Sequence, residues 1–193
     1  NEIEILRSKT LVKHVVSELN LYTTYTAKGS FNETELYKNS PVLVGLTPQE
    51  ADKLAAPAVF ELTLSPGNRL DVKATIGESS YSKKFSKLPA LLTTPAGTFT
   101  FTLAHDSVTV KEPQTLTAVV SNPLWTAKGY AGALSVEPTS KTTSIVIVSL
   151  KNTNKRRGED FINRLIEVYN RNTNNDKNEV AEKTEEFIAG RIR

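Results

Sequence analysis

Two histidines are the only imidazoles in the 193 residues, so they are the first places to look for acid–base or metal chemistry. His14 falls inside a helical stretch and is read as facing solvent or capping packing. His105 and Asp106 directly follow an alternating strand. The pair is read as turn residues, with an acid–base or metal role as the minor alternative. Glu182, Glu185 and Glu186 form the densest acidic group, and it fits a solvated helix surface better than working carboxylates. Cysteine is absent, which excludes a thiolate nucleophile, a thiolate metal site and a disulfide framework. There is no GxxxxGK(S/T) loop, no GxGxxG turn after a strand and no HExxH helix. The expectation is a domain with no catalytic residue, no cofactor and no metal.

Binding chemistry has more material. Trp125 and Tyr130 flank Lys128-Gly129 in a stretch read as a loop. Aromatic rings beside polar groups can stack on sugars, although they more often anchor loops. Lys155-Arg156-Arg157 is a basic run at a helix entrance, read as a solvated loop or as a contact for an anionic glycan or lipid headgroup. Trp125, Tyr130, Lys155, Arg156 and Arg157 are therefore the candidate glycan contacts. Asn32-Glu33-Thr34 matches a glycosylation acceptor, which matters only in a suitable host. A net charge of +3 from 24 basic and 21 acidic residues is too mild to argue for nucleic acid.

The elements that must position these residues follow from periodicity. Ile5, Val12, Val15 or Val16 and Leu19 recur at three-to-four spacing, which predicts a helix over Glu2 to Asn20. Residues 21–40 read as loop. Pro41 then introduces a strand at Val42-Leu43-Val44, and Thr47-Pro48-Gln49-Glu50 carries the marks of a capped helix start. From Val59 to Val120 the period changes to two. Phe60, Leu62 and Leu64, then Leu70, Val72, Ala74 and Ile76, alternate on either side of Ser65-Pro66-Gly67-Asn68, which predicts a hairpin. Phe99, Phe101 and Leu103 predict another strand, and Leu116, Ala118 and Val120 a weaker one. Strands are expected at 133–136 and 144–150, then a helix with Phe161, Ile162, Leu165, Ile166, Val168 and Tyr169 on one face.

With 38% hydrophobic and 23% charged residues the chain can bury a core. No apolar run reaches the roughly 18 residues that a membrane span needs, and no signal peptide is visible. Methionine is absent, even at position 1. The chain is expected to be a piece of a larger, membrane-anchored protein whose spans lie outside these residues.

Three segments together resemble one family. Asn1-Glu2-Ile3-Glu4-Ile5-Leu6-Arg7-Ser8 is similar to the helix opening of the polysaccharide co-polymerases, or chain-length determinants. Glu35-Leu36-Tyr37 followed by Ser40-Pro41-Val42 is similar to the family's next step into a strand. The stretch from Ala133 through Ile145-Val146-Ile147-Val148 to Leu165-Ile166-Glu167-Val168-Tyr169-Asn170 resembles its base domain. Residues 84–103 resemble the β-rich insertion of the bacterial tyrosine autokinase branch. The chain departs from the family at Lys155-Arg156-Arg157-Gly158, where a proline-containing turn is expected.

The resemblance implies an α+β fold. A base of a small mixed sheet packed on helices would hold an inserted antiparallel β subdomain, and a C-terminal helix would lead toward a coiled coil. The expected division is base at 1–50, β-rich insertion at 51–122, base again at 123–172 and the start of the coiled coil at 173–193. The resemblance further implies the periplasmic domain of an inner-membrane protein in a Gram-negative bacterium. That protein would regulate the chain length and export of capsular or exopolysaccharide. Implied partners are further copies of the same chain, the polysaccharide itself, its polymerase and an outer-membrane exporter. In the autokinase branch a kinase domain follows beyond Arg193. The alternative is a glycan-binding or adhesion β module without catalysis.

Overall fold

The computed structural model describes residues 2–29, 31–139, 146–151 and 154–172. In chain order these form α1 (Glu2–Leu6), α2 (Lys9–Glu18), β1 (Thr23–Lys28), β2 (Glu33–Glu35), a 3-10 turn (Tyr37–Asn39), β3 (Val42–Gly45) and α3 (Pro48–Ala51). Next come β4 (Ala58–Ser65), β5 (Arg69–Ile76), β6 (Ser79–Phe85), β7 (Ala90–Thr94), β8 (Gly97–Leu103) and β9 (Gln114–Val120). The remainder is α4 (Pro123–Ala133), β10 (Leu134–Pro138), β11 (Val146–Leu150) and α5 (Lys155–Asn172).

The chain divides into two units, one from residues 1–21 and 123–193, the other Tyr22–Asn122. Residues 22–50, expected with the helical base, instead supply β1, β2 and β3 to the second unit.

The α+β expectation is corrected. The described residues are mostly β, 40% strand against 31% helix, and their eleven strands lie in three sheets. Among the described residues every strand pairing is antiparallel, so no mixed sheet forms there. Strand beyond the expected set comes from 21–40, expected to be loop, and from β6 and β7, where no individual strand was expected. Thr23, Thr24, Tyr25 and Thr26 are β-branched or aromatic, and they fit a pleated surface once a partner strand is present. That partner is β9, distant in sequence, with Tyr25 opposite Ala118. The helix expected over 173–193, leading toward a coiled coil, lies outside the described residues.

The Tyr22–Asn122 unit is a sandwich of a six-stranded sheet (β2-β1-β9-β4-β5-β6) and a three-stranded one (β3-β8-β7). Alternation along β4 buries Phe60, Leu62 and Leu64 completely and leaves Val59 and Glu61 outside. Phe99 and Phe101 of β8 are equally buried. Phe60 meets both edge-on, with ring centroids 4.8 and 5.5 Å away. On the wet face, Lys73 stands opposite Glu61 and Thr63 shares a 3.0 Å hydroxyl contact with Thr115. The edge strand β6 keeps Tyr81 and Phe85 half-buried and exposes Lys83 and Lys84, charges that discourage pairing with another sheet.

Tyr25 ties the two sheets together. Its hydroxyl accepts from Val44 N at 2.8 Å and donates to Val44 O at 3.4 Å. Tyr25→Phe leaves a buried backbone N–H without that acceptor and is expected to lower stability by about 1–3 kcal/mol in urea denaturation. Burial pushes the Tyr25 phenol up to about 12, outweighing the hydrogen bond with Val44, which lowers it. A phenol whose native pKa exceeds its unfolded value binds more proton in the native state. Stability is therefore flat below pH 10 and falls between pH 10 and about 12, by about 2–3 kcal/mol in all. In Tyr25→Phe that share of the alkaline loss disappears.

The unit built from both chain segments is helical around a β10–β11 hairpin. Its first helix is broken in two, not continuous as expected. Ser8 adopts extended backbone and its hydroxyl accepts from Leu11 N, which starts a new helix at α2. Asn20 then turns left-handed at φ 53° and ends the segment, as its polar character suggested. Leu11, Val12, Val15 and Val16 of α2 are buried, as are Phe161, Ile162, Leu165 and Ile166 of α5. In β11, Val148 and Leu150 are buried and Ser149 is half-buried.

Candidate functional site

The five expected glycan contacts all fall in the helical unit, but they do not share one surface. Trp125 and Tyr130 are not in a loop. Both lie on α4, which starts at Pro123, a residue suited to a helix's first turn. Trp125 is 44% exposed beside exposed Leu124. Tyr130 points inward, is 7% exposed, and packs its ring on Phe161 at 4.5 Å. The Arg157 guanidinium lies 5.9 Å from the same ring. The Tyr130 ring is thus engaged within the protein, and Trp125 alone presents a ring to solvent among the expected pair. A cavity of about 190 Å³ lies between Thr126, Gly129, Tyr130 and Lys151.

Lys155, Arg156 and Arg157 form the first turn of α5 rather than a loop. Asn154 caps that helix, its Oδ1 accepting from Arg157 N at 2.8 Å, which does the work expected of a proline turn. Three cations there oppose the helix dipole, and Lys155 finds only a distant partner in Glu159 at 4.0 Å. Arg156→Glu is expected to raise thermal stability by about 0.3–1 kcal/mol, read from Tm. A fall in Tm would mean that the arginine serves a contact within the fold.

An ionic cluster in this unit joins groups far apart in the sequence. Glu18, at the end of α2, accepts from Arg164 at 2.8 Å and from Arg171 at 3.3 Å, across 146 and 153 residues. His14 Nε2 lies 2.5 Å from the same carboxylate. Burial pushes the Glu18 carboxyl up. The hydrogen bonds from Arg164 and Arg171, with the charges of Arg171 and His14, outweigh it and hold the carboxyl below its usual range. His14 is thus a helix-surface partner for Glu18, not an isolated imidazole.

His105 and Asp106 do not form a buried pair. Both are exposed, and His105 Nδ1 lies 2.7 Å from Ser107 Oγ instead. No group of three metal-ligating side chains occurs among the described residues. The turn nevertheless borders a hollow of the β unit. A cavity of about 370 Å³ is lined by Lys38, Asn39, His105, Ser107 and Gln114. A second, of about 310 Å³, adjoins it through Asn39, Pro41 and Gln114 and continues over Leu36 and Leu116. Residues from the 3-10 turn, from the β8–β9 connection and from β9 meet here, so no local motif announces the groove.

Its walls are fixed by hydrogen bonds. Leu36 N donates to Tyr25 O at 2.8 Å and Asn39 N to Leu36 O at 2.7 Å. Ser40 Oγ donates to Val42 O at 2.6 Å, and Ala104 N to Pro41 O at 2.9 Å. Tyr37, in the turn between them, has φ 47°. That is unusual for a bulky residue and costs about 1–3 kcal/mol.

No family model matches the chain. A search of curated proteins finds no significant match either.

Proposed function

We propose that this chain is the periplasmic domain of an inner-membrane polysaccharide co-polymerase of the tyrosine autokinase branch. It regulates the length and export of capsular or exopolysaccharide by assembling with further copies of itself and with the polymerase and exporter. One observation supports this reading above the others. Segments from both ends of the chain, α1–α2 and α4–α5, build a single unit, and a mainly β unit is inserted between Leu21 and Pro123. Such an arrangement suits a domain held by membrane segments on both sides, because the flanking helices belong to one body. The Glu18 cluster, which links α2 to α5 by ion pairs, would keep that body together under load from either anchor. No described helix is long and apolar enough to cross a membrane, so the spans of the proposed parent lie elsewhere.

The test is genetic and topological. Deleting the parent gene should shift the modal length of the surface polysaccharide on a gel, and the full gene should restore it. Alkaline phosphatase fused after Asn172 should be active, because it folds only outside the cytoplasm. An inactive fusion, or an unchanged length distribution in the deletion strain, sinks the reading.

A further inference from the structure

We propose that the six-stranded sheet of the β unit joins a second copy of this chain head to tail, β6 of one copy pairing with β2 of the next. The inference begins with the two ends of the sheet. Among the described residues β2 pairs with β1 alone and β6 with β5 alone. Every pairing across this sheet is antiparallel and the number of strands is even, so β2 and β6 run in opposite directions. A copy set beside the first in the same orientation therefore brings β6 antiparallel to β2, with the wet faces on one side.

The register supplies the charge match. One row of facing residues crosses the sheet from Glu33 on β2 to Lys84 on β6. Glu33 faces Lys28. Thr115 faces Thr63, Thr63 faces Asp71, and Asp71 faces Lys84. Lys28 and Thr115 share the row, one step on from Ala27 opposite Leu116. Copies placed side by side without sliding thus bring Lys84 directly opposite Glu33 of the next copy. Across the joint the row reads Asp71, Lys84, Glu33, Lys28, four charges of alternating sign on the wet face. Lys84 and Glu33 are both exposed. On the other face Lys83, whose ammonium lies 5.7 Å from the Phe85 ring, comes opposite the small, neutral Thr34. Lysines that keep a like edge away thereby select an acidic one. Phe31, fully exposed just before β2, falls opposite Ser86 and gains cover there. A two-fold contact cannot use this match, because it would set β6 on β6 and lysine against lysine. Residues 22–122 hold nine basic and nine acidic side chains, so their copies approach without net repulsion.

This inference deepens the proposed function by naming a surface through which copies assemble. It rests on that reading only for several copies being held side by side.

The chain has no cysteine, so disulfide trapping reads the joint directly. Thr34→Cys and Lys83→Cys are introduced together in the 193-residue chain, which leaves Lys84 and Glu33 in place. Facing residues of an antiparallel pair stand about 4.5–5.5 Å apart at Cα, within reach of a disulfide. Oxidation at about 0.5 mM protein, where even a millimolar contact is sampled, should give a ladder of dimers, trimers and larger species on a non-reducing gel. Either cysteine alone should leave monomer, because a head-to-tail contact does not bring a residue against its own counterpart. Adding Lys84→Glu to the cysteine pair should reduce the ladder about fivefold or more, and adding Glu33→Lys as well should recover most of it. All four positions are exposed, and circular dichroism of each variant reports whether the fold is intact. Monomer alone from the double-cysteine chain overturns the proposal. So does dimer from a single-cysteine chain at the level of the pair, which marks a two-fold contact. A ladder indifferent to Lys84→Glu, or one that Glu33→Lys does not recover, overturns it as well. None of these results alters the effect of gene deletion on polysaccharide length, so the joint and the chain-length reading fail separately.

Discussion

Phe60→Ala lowers the stability of the β unit by about 3–5 kcal/mol, the largest loss expected from any single truncation described here. The ring is fully buried at the centre of the sandwich. It is the side chain through which β4 of one sheet meets both Phe99 and Phe101 of the other. Removing it forfeits the transfer of a large apolar group, opens a cavity, and breaks two edge-to-face contacts that add about 0.5–1.5 kcal/mol each. The neighbours cannot close the gap, because Leu62, Leu64, Val72 and Ala118 are themselves fixed in sheet registers. With total stability of a domain at about 5–15 kcal/mol, the variant sits near the unfolding threshold at 37 °C. Urea denaturation followed by far-UV circular dichroism measures the loss. Trp125 is the sole tryptophan and lies in the other unit, so its fluorescence is a separate reporter. Phe60→Leu, which keeps much of the volume, should cost less than about half as much.

The sandwich strands were legible because each carries its own period. Phe60-Leu62-Leu64 and Leu70-Val72-Ala74 alternate without interruption, and Gly67 and Asn68 between them adopt the positive φ that their turn requires. Thr47 was legible for the same reason. Its hydroxyl accepts from Glu50 N at 3.3 Å, an interaction three residues long. What failed depended on partners far along the chain. Residues 23–28 have no alternation of large apolar side chains, and only pairing to β9 makes them a strand. Ser8 looked like one polar residue inside a helical stripe, yet capping there is worth more to the backbone than helical continuity.

The same division runs through the candidate sites. Trp125 and Tyr130 drew notice as aromatics near a glycine, and a period of five residues on a helix sends them in different directions. Lys155-Arg156-Arg157 reads as one basic patch in sequence, whereas in the helix Arg157 turns toward Tyr130 while Arg156 stays exposed. The Glu18 cluster joins groups 146 and 153 residues apart, and the groove joins Lys38 to His105 and Gln114. Neither has a spacing to find. Both arise because sheet order and helix packing, not sequence neighbourhood, decide which polar groups converge.

Gly97→Ala is expected to destabilise the β unit by about 2–4 kcal/mol, though it adds a single methyl group. Gly97 opens β8 with φ 144°, a conformation that side chains rarely adopt. A Cβ there would also collide with the Glu50 carboxylate and crowd Leu46 Cδ1 at 3.0 Å. That carboxylate is not free to retreat without loss, because its Oε2 accepts from Thr98 N at 2.6 Å. The bond holds the start of α3 against the start of β8 and satisfies a backbone donor at the end of the three-stranded sheet. The methyl group therefore brings backbone strain and the loss of a charge-assisted hydrogen bond together. Glu50→Ala separates the two contributions: it removes the collision and the bond at once. Gly97→Ala placed on Glu50→Ala should then cost only the backbone strain and the crowding at Leu46, about 1–3 kcal/mol. A double-mutant cycle by urea denaturation measures the coupling. If the two substitutions prove additive, the collision with Glu50 is not the source of the loss, and backbone conformation alone makes glycine necessary at position 97.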